Sequence, residues 1–333
     1  MNKERILTGD RPTGPLHLGH YVGSLEKRVE LQDRGYECFF IVADWHVLTD
    51  HLRRTQEVEE WILDITLDWL SVGMDPKKST FFIQSRIPQI PELSLYFSML
   101  VTKERLERNP TVKEEARAAR ISEISWGFLG YPILQAADIL VVKANLVPVG
   151  EDQLPHLEQC REIARKFNRL FGGETFPIPK ALLGRFPRLP GLDGRKMSKS
   201  LNNAIFLSDS AEGVERKMQR AVTDPQKIHL KDKGRPEICN VFAYHRAFNS
   251  HWQEVENSCR QGEIGCVACK KRAATIINEF LEPIREKRAY FEKRPQEVRE
   301  YLIEGSERVK KIAEETLGEV KRKLHFEYES IFG

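Results

Sequence analysis

The first half of the chain alternates short β-branched or aromatic runs with longer segments whose apolar residues recur at helical spacing. This alternation is typical of a parallel sheet covered by helices. The pattern therefore predicts a doubly wound α/β domain. The predicted strands are Arg5–Thr8, Cys38–Ala43, Thr80–Gln84 and Leu146–Val149, and the predicted helices are Leu18–Leu31, Val58–Val72, Glu92–Val101, Ser125–Val142 and Leu154–Leu170.

The second half of the chain has a different pattern. The stretch from Phe176 to Gly194 is rich in Pro and Gly, which predicts a loop or hairpin at a domain junction. From Ser208 onward the spacing is helical, interrupted at Lys231–Pro236 and by a cluster of cysteines. We therefore expect an α/β domain over residues 1–207 and an all-helical domain over residues 208–333.

Composition narrows the class of protein. Apolar residues make up 41% and charged residues 30% of the 333 residues, which excludes disordered, collagen-like and disulfide-scaffold proteins. We expect a cytoplasmic protein without a membrane span, because no window approaches the run of about 20 apolar residues that crosses a bilayer. A net charge of +3 gives no global field for nucleic acid. The basic stretches Lys103–Arg120 and Arg216–Arg235 are interpreted as solvated helix faces.

A candidate phosphate site follows the first strand directly, in the segment TGDRPTGPLHLGHYVGSL. A Pro- and Gly-rich turn precedes a helix that begins near Leu16, and a helix N-terminus attracts anions. His17 and His20 are three residues apart and share one helix face, while Gly19 leaves room for a nucleotide against the backbone. The spacing of the glycines resembles a P-loop, but His-Tyr stands where Lys-Ser/Thr is required, so this alternative is discarded.

A second phosphate candidate is the segment KMSKS at Lys196–Ser200, which follows a Gly-rich run. Lysine binds phosphate as a point charge, and two lysines on a flexible loop can approach a triphosphate as negative charge builds on the departing pyrophosphate. Standing alone, the segment would be interpreted as an exposed basic loop.

Together, HLGH and KMSKS resemble the two signatures of the class I aminoacyl-tRNA synthetases, and the resemblance covers essentially the whole chain. It implies a Rossmann-like catalytic domain over residues 1–207 and a helical anticodon-binding domain over residues 208–333. The substrate carboxylate is the nucleophile in this chemistry, so the protein has to align it with the α-phosphate of ATP and stabilise the leaving group. A Mg²⁺ ion bound chiefly to the ATP phosphates is implied.

Three further segments resemble the tryptophan and tyrosine branch of that family: ADWH from Ala43, YPILQAAD from Tyr131 and VPVGEDQ from Val147. Tyr131, Gln135 and Asp138 share one helix face that is otherwise apolar. A carboxylate there needs a donor, such as an N–H or O–H on a substrate ring. The alternative is a core carboxylate paired with an Arg or Lys. The third segment favours tryptophan as the substrate, whereas Gln135 also suits tyrosine enzymes, so tyrosine remains open.

The resemblance assigns roles by position. His17 and His20 would steady the phosphates, and Lys196 and Lys199 would stabilise the departing pyrophosphate. In the L-tryptophan site, Asp138 would contact the indole nitrogen, and Tyr131 and Gln153 would contact the substrate amino group. Leu7, His46 and Val149 would help to line the side-chain pocket, and Gln135 would complete the tryptophan-binding residues. The ATP site would comprise Gly9, Arg11, Pro12, Thr13, Gly19, His20, Gly150, Glu151, Asp152, Leu189, Lys196, Met197, Ser198, Lys199 and Ser200.

The resemblance also implies partners. The aminoacyl group would pass to the 3′ end of tRNA(Trp), and the chain would form a homodimer. A protein that binds RNA or another partner without catalysis is a further alternative. The intact HLGH and KMSKS segments argue against it, because a pure binder has no need of two distant phosphate sites.

Four cysteines in the helical half, Cys239, Cys259, Cys266 and Cys269, predict a metal site. Their spacing, C-x19-C-x6-C-x2-C, contains one C-x-x-C pair, so it fits a [4Fe–4S] cluster at least as well as zinc. A subset of the bacterial tryptophan enzymes carries a similar cluster near the anticodon-binding region, which favours iron–sulfur. Zinc and the absence of a metal remain alternatives.

Overall fold

Parallel strands form the centre of the protein in a computed structural model that describes residues 4–118, 121–183, 189–199, 201–328 and 331. The strands are β1 (Arg5–Asp10), β2 (Glu37–Val42), β3 (Ser79–Ile83), β4 (Leu146–Val149) and β5 (Lys180–Leu183). They form one sheet in the order β3-β2-β1-β4-β5. Strand order reverses beside β1, so the predicted doubly wound, Rossmann-like arrangement is confirmed.

The sheet opens at the reversal of strand order. β1 pairs with β2 along its full length of six residues. Its pairing with β4 is confined, in the described chain, to Ile6 opposite Leu146. Two residues farther on, Thr8 Oγ1 donates to the carbonyl oxygen of Pro148 over 3.0 Å. No backbone pair follows in the described chain, so the two strands separate toward their carboxyl ends, which is where open α/β sheets bind ligands.

Helices cover both faces of the sheet and make up most of the second half of the chain. A π-helical turn at Tyr21–Leu25 joins the first two helices into one continuous run. The helices are α1 (Leu18–His20), α2 (Glu26–Asp33), α3 (Val58–Ser71), α4 (Gln89–Ser98), α5 (Lys103–Glu107), α6 (Pro110–Ala118), α7 (Trp126–Val141), α8 (Leu154–Phe171), α9 (Ala211–Gln219), α10 (Asn240–Phe248), α11 (Trp252–Gln261), α12 (Cys266–Glu292) and α13 (Pro295–Leu324).

Alternate residues of the central strands enter two separate cores. On β2, Phe40 and Val42 belong to the core shared with α3, α10 and α12, whereas Phe39 and Ile41 belong to the core shared with α4, α7 and α8. Successive strand side chains point to opposite faces, so an uninterrupted apolar strand is expected in the middle of a doubly covered sheet.

The four predicted strands are confirmed, with ends within two residues of the prediction. The prediction of a loop or hairpin over 176–194 was wrong at β5, a four-residue strand at the edge of the sheet. β5 is too short to show an alternating pattern of apolar and polar residues. It also follows prolines, which are tolerated in edge strands. The break in the helical half is also longer than the predicted Lys231–Pro236, because α9 ends at Gln219 and α10 begins at Asn240.

The last helix, α13, covers the edge of the sheet at β3. The backbone N–H of Ile83 donates to Ser306 Oγ over 3.2 Å, and Arg308 donates to Thr80 Oγ1. A covered edge strand cannot pair with another chain. The helical half therefore packs directly on the α/β half, and the boundary at residues 207 and 208 stays a prediction. No helix in the described ranges is long and apolar enough to cross a membrane.

Gly305 allows this close approach, because an added Cβ would lie 1.8 Å from the carbonyl oxygen of Phe81. We expect Gly305→Ala to lower the free energy of unfolding by about 3 kcal/mol, since α13 would have to move off the sheet. Urea denaturation measures the change.

Gly318→Ala in the same helix is the matched control. The nearest atom to its added Cβ is 3.7 Å away, so we expect no loss and a gain of up to about 1 kcal/mol from the higher helix propensity of alanine. Equal stability of the two variants would contradict the close packing of α13 on β3.

Candidate active site

A cavity of about 410 Å³ lies where β1 and β4 diverge. It brings together residues from the strand ends, α7, the turn after β4 and the KMSKS segment. Among the residues predicted from the sequence, those that line it are Leu7, Gly9, Arg11, His20, His46, Tyr131, Gln135, Asp138, Val149, Gly150, Asp152, Gln153 and Lys196.

Asp138 is a buried carboxylate at the base of this cavity, with 3% of its surface exposed. Gln84 Nε2 donates to both carboxylate oxygens over 2.8 and 2.9 Å, and His46 Nε2 lies 3.0 Å from Oδ2. Burial raises the pKa of Asp138, and the bonds to His46 and Gln84 oppose that rise. The Arg or Lys partner of the structural alternative is not found for Asp138 among the described residues.

Tyr131 takes part in a second buried network. Its hydroxyl oxygen lies 2.8 Å from His156 Nε2, and Asn109 Nδ2 donates to His156 Nδ1 over 3.0 Å. Burial lowers the pKa of His156 to about 4, so its ring is neutral at pH 7. Because Nδ1 accepts from Asn109, the proton is on Nε2, and His156 donates to Tyr131. Burial and then the Glu115 carboxylate raise the pKa of Tyr131.

An ion pair between Arg28 and Asp10 lines the cavity beside β1. Arg28 binds Asp10 through two bonds of 2.6 and 3.2 Å, and Trp69 Nε1 donates to Asp10 Oδ2 over 2.9 Å. Burial raises the pKa of Asp10, but Arg28 outweighs it and holds the pKa at about 2. Asp10 is therefore ionised at all physiological pH values.

The HLGH segment begins the helical run after β1. The rings of His17 and His20 lie 3.7 Å apart, and the backbone N–H of His17 donates to His20 Nδ1 over 3.1 Å. Burial lowers the pKa of His17 to about 2 and that of His20 to about 4. Both rings are neutral at pH 7, and each can donate one N–H.

The KMSKS segment contacts the turn that precedes those histidines. Lys199 Nζ donates to the carbonyl oxygen of Gly14 over 2.5 Å and to Thr13 Oγ1 over 3.3 Å. Met197 Sδ accepts the backbone N–H of Gly19 over 3.3 Å. The two segments, almost two hundred residues apart in the chain, therefore meet at one place.

The two lysines differ in their surroundings. Burial lowers the pKa of Lys199 to about 8, opposed by the charges of Asp10 and Asp68. The side chain of Lys196 is 63% exposed and lies 3.5 Å from Asp152 Oδ2. Lys199 is thus held against the turn, whereas Lys196 reaches across the mouth of the cavity.

Some predicted residues lie beside the cavity rather than in its lining. His17, Pro12, Leu189 and Met197 are buried and do not belong to the lining. The backbone N–H of Ser198 donates to Asn203 Oδ1, Glu151 is exposed, and Ser200 lies outside the described residues.

The sequence is similar to those of known proteins. Residues 1–282 match the family model for class I tRNA synthetases of the W and Y type. The tryptophan–tRNA ligase of Chlamydia caviae is 49% identical over 97% of this chain and 96% of its own length. That of Thermotoga maritima is 46% identical over 96% of this chain and 99% of its own length.

The chain belongs to the tryptophan–tRNA ligase family. Its predicted status as a class I aminoacyl-tRNA synthetase, and so as an enzyme, is confirmed. A solved structure from Campylobacter jejuni, a tryptophanyl-tRNA synthetase complexed with ADP and tryptophan, is similar with a TM-score of 0.84 and 32% identity, over 96% of this chain and 99% of that one.

Several residues of this synthetase site were missed from the sequence. Asp10 ends β1 and Gln84 follows β3, so both stand at carboxyl ends of strands, the position that singled out His46. That signal could have found them. Arg28, Glu115 and His156 lie within helical patterns that give no sign of facing a cavity.

The four cysteines line a second, much smaller cavity of about 20 Å³. Burial raises the pKa of Cys269 to about 12, and the neighbouring thiols, Cys239 first, add to the rise. Within the described residues, no group of three or more His, Cys, Asp or Glu side chains is arranged to hold a metal ion. The structure therefore brings the predicted cysteines around one space without forming an ion cage.

The histidine environment predicts a pH dependence. Because the unfolded chain binds a proton at His20 near pH 6.5 and the folded chain near pH 4, this residue contributes stability that is lost as the pH falls from 6.5 to 4. We expect the ring resonances of His20 in proton NMR to stay unchanged from pH 8 down to about 5.5. His20→Asn assigns the signals, and a midpoint near 6.5 for His20 would contradict the buried environment.

Proposed function

We propose that this chain activates L-tryptophan with ATP, forming tryptophanyl-AMP and pyrophosphate, and then transfers the amino acid to the 3′ end of tRNA(Trp). The proposal rests mainly on Asp138, a buried carboxylate in the cavity beside the HLGH and KMSKS segments. His46 and Gln84 bind its two oxygens without using all of their acceptor positions among the described residues. Family membership supports the same reaction.

The free acceptor position on Asp138 suits an indole N–H. A carboxylate offers about four lone-pair positions. Gln84 uses two of them and His46 one. No further donor to Asp138 is found in the described part of the chain, so one position remains for a donor from the cavity. An indole is the amino-acid side chain that carries an N–H on a large apolar ring. A ligand without a donor would leave this acceptor buried and unsatisfied.

The remaining walls suit the rest of the amino acid. Leu7 and Val149 give apolar surface, and His46 lies edge-on to the Tyr131 ring at 6.1 Å. Because His156 donates to the Tyr131 oxygen, that oxygen retains one lone pair for the ammonium group of the substrate. Gln135 Nε2 donates to Gln153 Oε1 over 3.4 Å, which orients Gln153 beside it. We assign Tyr131 and Gln153 to the substrate amino group.

The phosphate half lies at the mouth of the cavity. Lys196 pairs with Asp152, and Lys199 binds the turn through Gly14. Both ammonium groups can exchange these partners for phosphate oxygens, so we assign them to the stabilisation of departing pyrophosphate. The neutral rings of His17 and His20 would donate to phosphate oxygens. Gly9, Arg11, Pro12, Thr13, Gly19, Gly150, Glu151, Asp152, Leu189, Met197, Ser198 and Ser200 complete the proposed ATP site.

Mg²⁺ would enter with ATP, held chiefly by its phosphates. The four cavity carboxylates of the described chain support this arrangement, because each already has a partner. Arg28 engages Asp10, Lys196 pairs with Asp152, Asp138 accepts from His46 and Gln84, and Glu115 accepts from the Tyr131 hydroxyl. Magnesium commonly binds through substrate phosphates and water rather than through an all-protein cage. The ion would supply charge neutralisation for the triphosphate.

Pyrophosphate exchange with tryptophan and with tyrosine, run separately, tests the assignment. We expect exchange with tryptophan to exceed exchange with tyrosine. We expect Asp138→Asn to lower kcat/KM for tryptophan by about 10- to 100-fold without changing the KM for ATP, because a charged buried acceptor is lost.

Asp209→Asn is the matched control, since Asp209 is a partly buried carboxylate outside the cavity lining that accepts from Lys217 and the backbone of Phe206. It should leave both constants unchanged. Stronger exchange with tyrosine would reassign the substrate, and no exchange with either amino acid would favour a non-catalytic RNA-binding protein.

We propose residues 208–333 as the anticodon-binding part of the chain. Near the cysteine cavity, Ile228, Leu230 and Val267 have 78%, 63% and 73% of their surface exposed, and Lys231, Lys233, Lys270 and Lys271 follow them closely in the chain. Apolar surface interleaved with lysines suits unstacked bases and their phosphates. Because this role implies tRNA as the partner, we also propose a cytoplasmic location.

We also propose a homodimer. Leu95 on α4 and Met99 directly after it have 56% and 74% of their surface exposed, and Trp126 at the start of α7 has 68%. α4 packs on α7, so these side chains belong to neighbouring elements. Exposed apolar groups of this size are typical of surfaces that associate with another chain.

For the cysteine cavity we propose a [4Fe–4S] cluster held by Cys239, Cys259, Cys266 and Cys269. The donor set fits, because four cysteine thiolates are the usual ligands of such clusters. Cys266 and Cys269 lie in the first turn of α12, and the Lys227 side chain also lines the cavity. Both features favour thiolates. A space of about 20 Å³ admits about one water-sized group, so the lining side chains would move outward.

When bound, the cluster would supply cross-links between α12, α11 and the segment before α10, a structural role. We expect protein purified without oxygen to be brown and to contain about four iron and four sulfide per chain. Cys266→Ser should lose both, whereas Cys160→Ala, a buried cysteine outside the cavity, should retain them. Colourless protein with one zinc per chain would overturn the cluster in favour of zinc.

A further inference from the structure

Helix α3 holds the turn between β1 and α1 from both ends. Asp68 Oδ2 accepts the backbone N–H of Leu16 over 2.7 Å, and its neighbour Trp69 donates to Asp10. Asp68 and Trp69 are completely buried. The intervening residues 11–15 are therefore a short bridge between two fixed points, and Lys199 docks on that bridge at Gly14.

The second oxygen of Asp68 is bound by an arginine from the helical half of the chain. Arg288 Nη1 on α12 donates to Asp68 Oδ1 over 2.5 Å. The same guanidinium donates to Asp64 Oδ1 over 2.7 Å and to Glu292 Oε1 over 2.8 Å. The Arg288 side chain is 10% exposed. One carboxylate thus joins the Leu16 amide to α12.

Arg288 also keeps Asp68 ionised, so that Asp68 can accept the hydrogen bond from the Leu16 amide. Burial raises the pKa of Asp68 to about 6, and Arg288 is the strongest opposing influence. Without the guanidinium, a fully buried carboxylate would lack its main counter-charge and take up a proton. A protonated carboxyl group is a weaker acceptor, so the Leu16 N–H would lose its fixed partner.

We propose that Arg288 and Asp68 are positioning residues for the phosphate half of the reaction, acting by fixing the Leu16 amide at the start of HLGH. The inference rests on the proposed function. Leu16 directly precedes His17, and Gly14 is the docking point of Lys199, so the position of this backbone sets the histidine rings and the lysine together. Neither Arg288 nor Asp68 lines the main cavity, so neither touches tryptophan.

A purely structural brace between α3 and α12 would behave differently. Loss of a brace lowers stability and affects both substrates alike, whereas loss of a positioning residue for the phosphates affects ATP selectively. The two roles are therefore separated by the KM values for the two substrates.

The test is pyrophosphate exchange by the full-length protein, with ATP and tryptophan varied separately. We expect Arg288→Gln and Asp68→Asn to raise the KM for ATP by about tenfold or to lower kcat by a similar factor. The KM for tryptophan should stay within about twofold of wild type. Arg288→Lys keeps the charge and should recover part of the loss.

Arg285→Gln is the matched control. Arg285 lies one turn away on α12, its side chain is 17% exposed, and it donates to Asp209 O, Asn278 and Glu282 instead of Asp68. It should lower the Tm without a selective effect on ATP. Asp64→Asn removes one partner of Arg288 and leaves Asp68 intact. We expect it to change the kinetics in the same direction as Arg288→Gln but by a smaller factor. This variant provides the test if the stronger variants do not fold.

Two results overturn the proposal: KM values for ATP and tryptophan that rise together, or variants at Arg288 and Asp64 that match Arg285→Gln in kinetics. A wild-type protein without tryptophan-dependent exchange contradicts the proposed function instead, so the two failures are distinguishable.

Discussion

The site depends on the divergence of β1 and β4. β1 pairs with β2 along its whole length, but its backbone pairing with β4 stops at Ile6 and Leu146. Because parallel strands present their carboxyl ends at the same edge of the sheet, this gap is bordered by the residues that follow each strand. The ends of β1 and β4 provide the walls, and Asp138 from α7 provides the polar base. The strand order creates the cavity, and the individual side chains determine its lining.

Much of this arrangement could be predicted from the sequence, for identifiable physical reasons. The apolar run of β2 is buried on both faces, so it stands out, and HLGH and KMSKS are short segments with unusual residue types. Asp138 could be singled out because a carboxylate on an apolar helix face needs a partner. His46 was predicted and Gln84 could have been found at a strand end, but their hydrogen bonds to Asp138 could not be predicted, because the three segments meet only in the fold. β5 was missed because four residues at a sheet edge show no period.

Two buried arginine–aspartate pairs flank the turn after β1, and they act on its opposite ends. Arg28 binds Asp10 where the strand ends, and Arg288 binds Asp68, which holds Leu16 where the helix begins. Burying a charge pair gives little net stability compared with apolar packing, but a pair with one partner removed is strongly unfavourable. Such pairs therefore specify a geometry more than they stabilise a fold. At this turn the geometry is that of the backbone on which Lys199 docks.

The contact of α13 with β3 joins two segments that are synthesised at very different times. Ile83 and Ser306 are 223 residues apart in the chain. Chains emerge from the ribosome N-terminus first, so β3 is made long before the helix that covers it. Until then the outer N–H and C=O groups of β3 have no covering helix, and a bare strand edge is a template for association with another chain. The nascent α/β half is therefore the form of this protein most exposed to aggregation, and that exposure ends once α13 has been made and covers the strand.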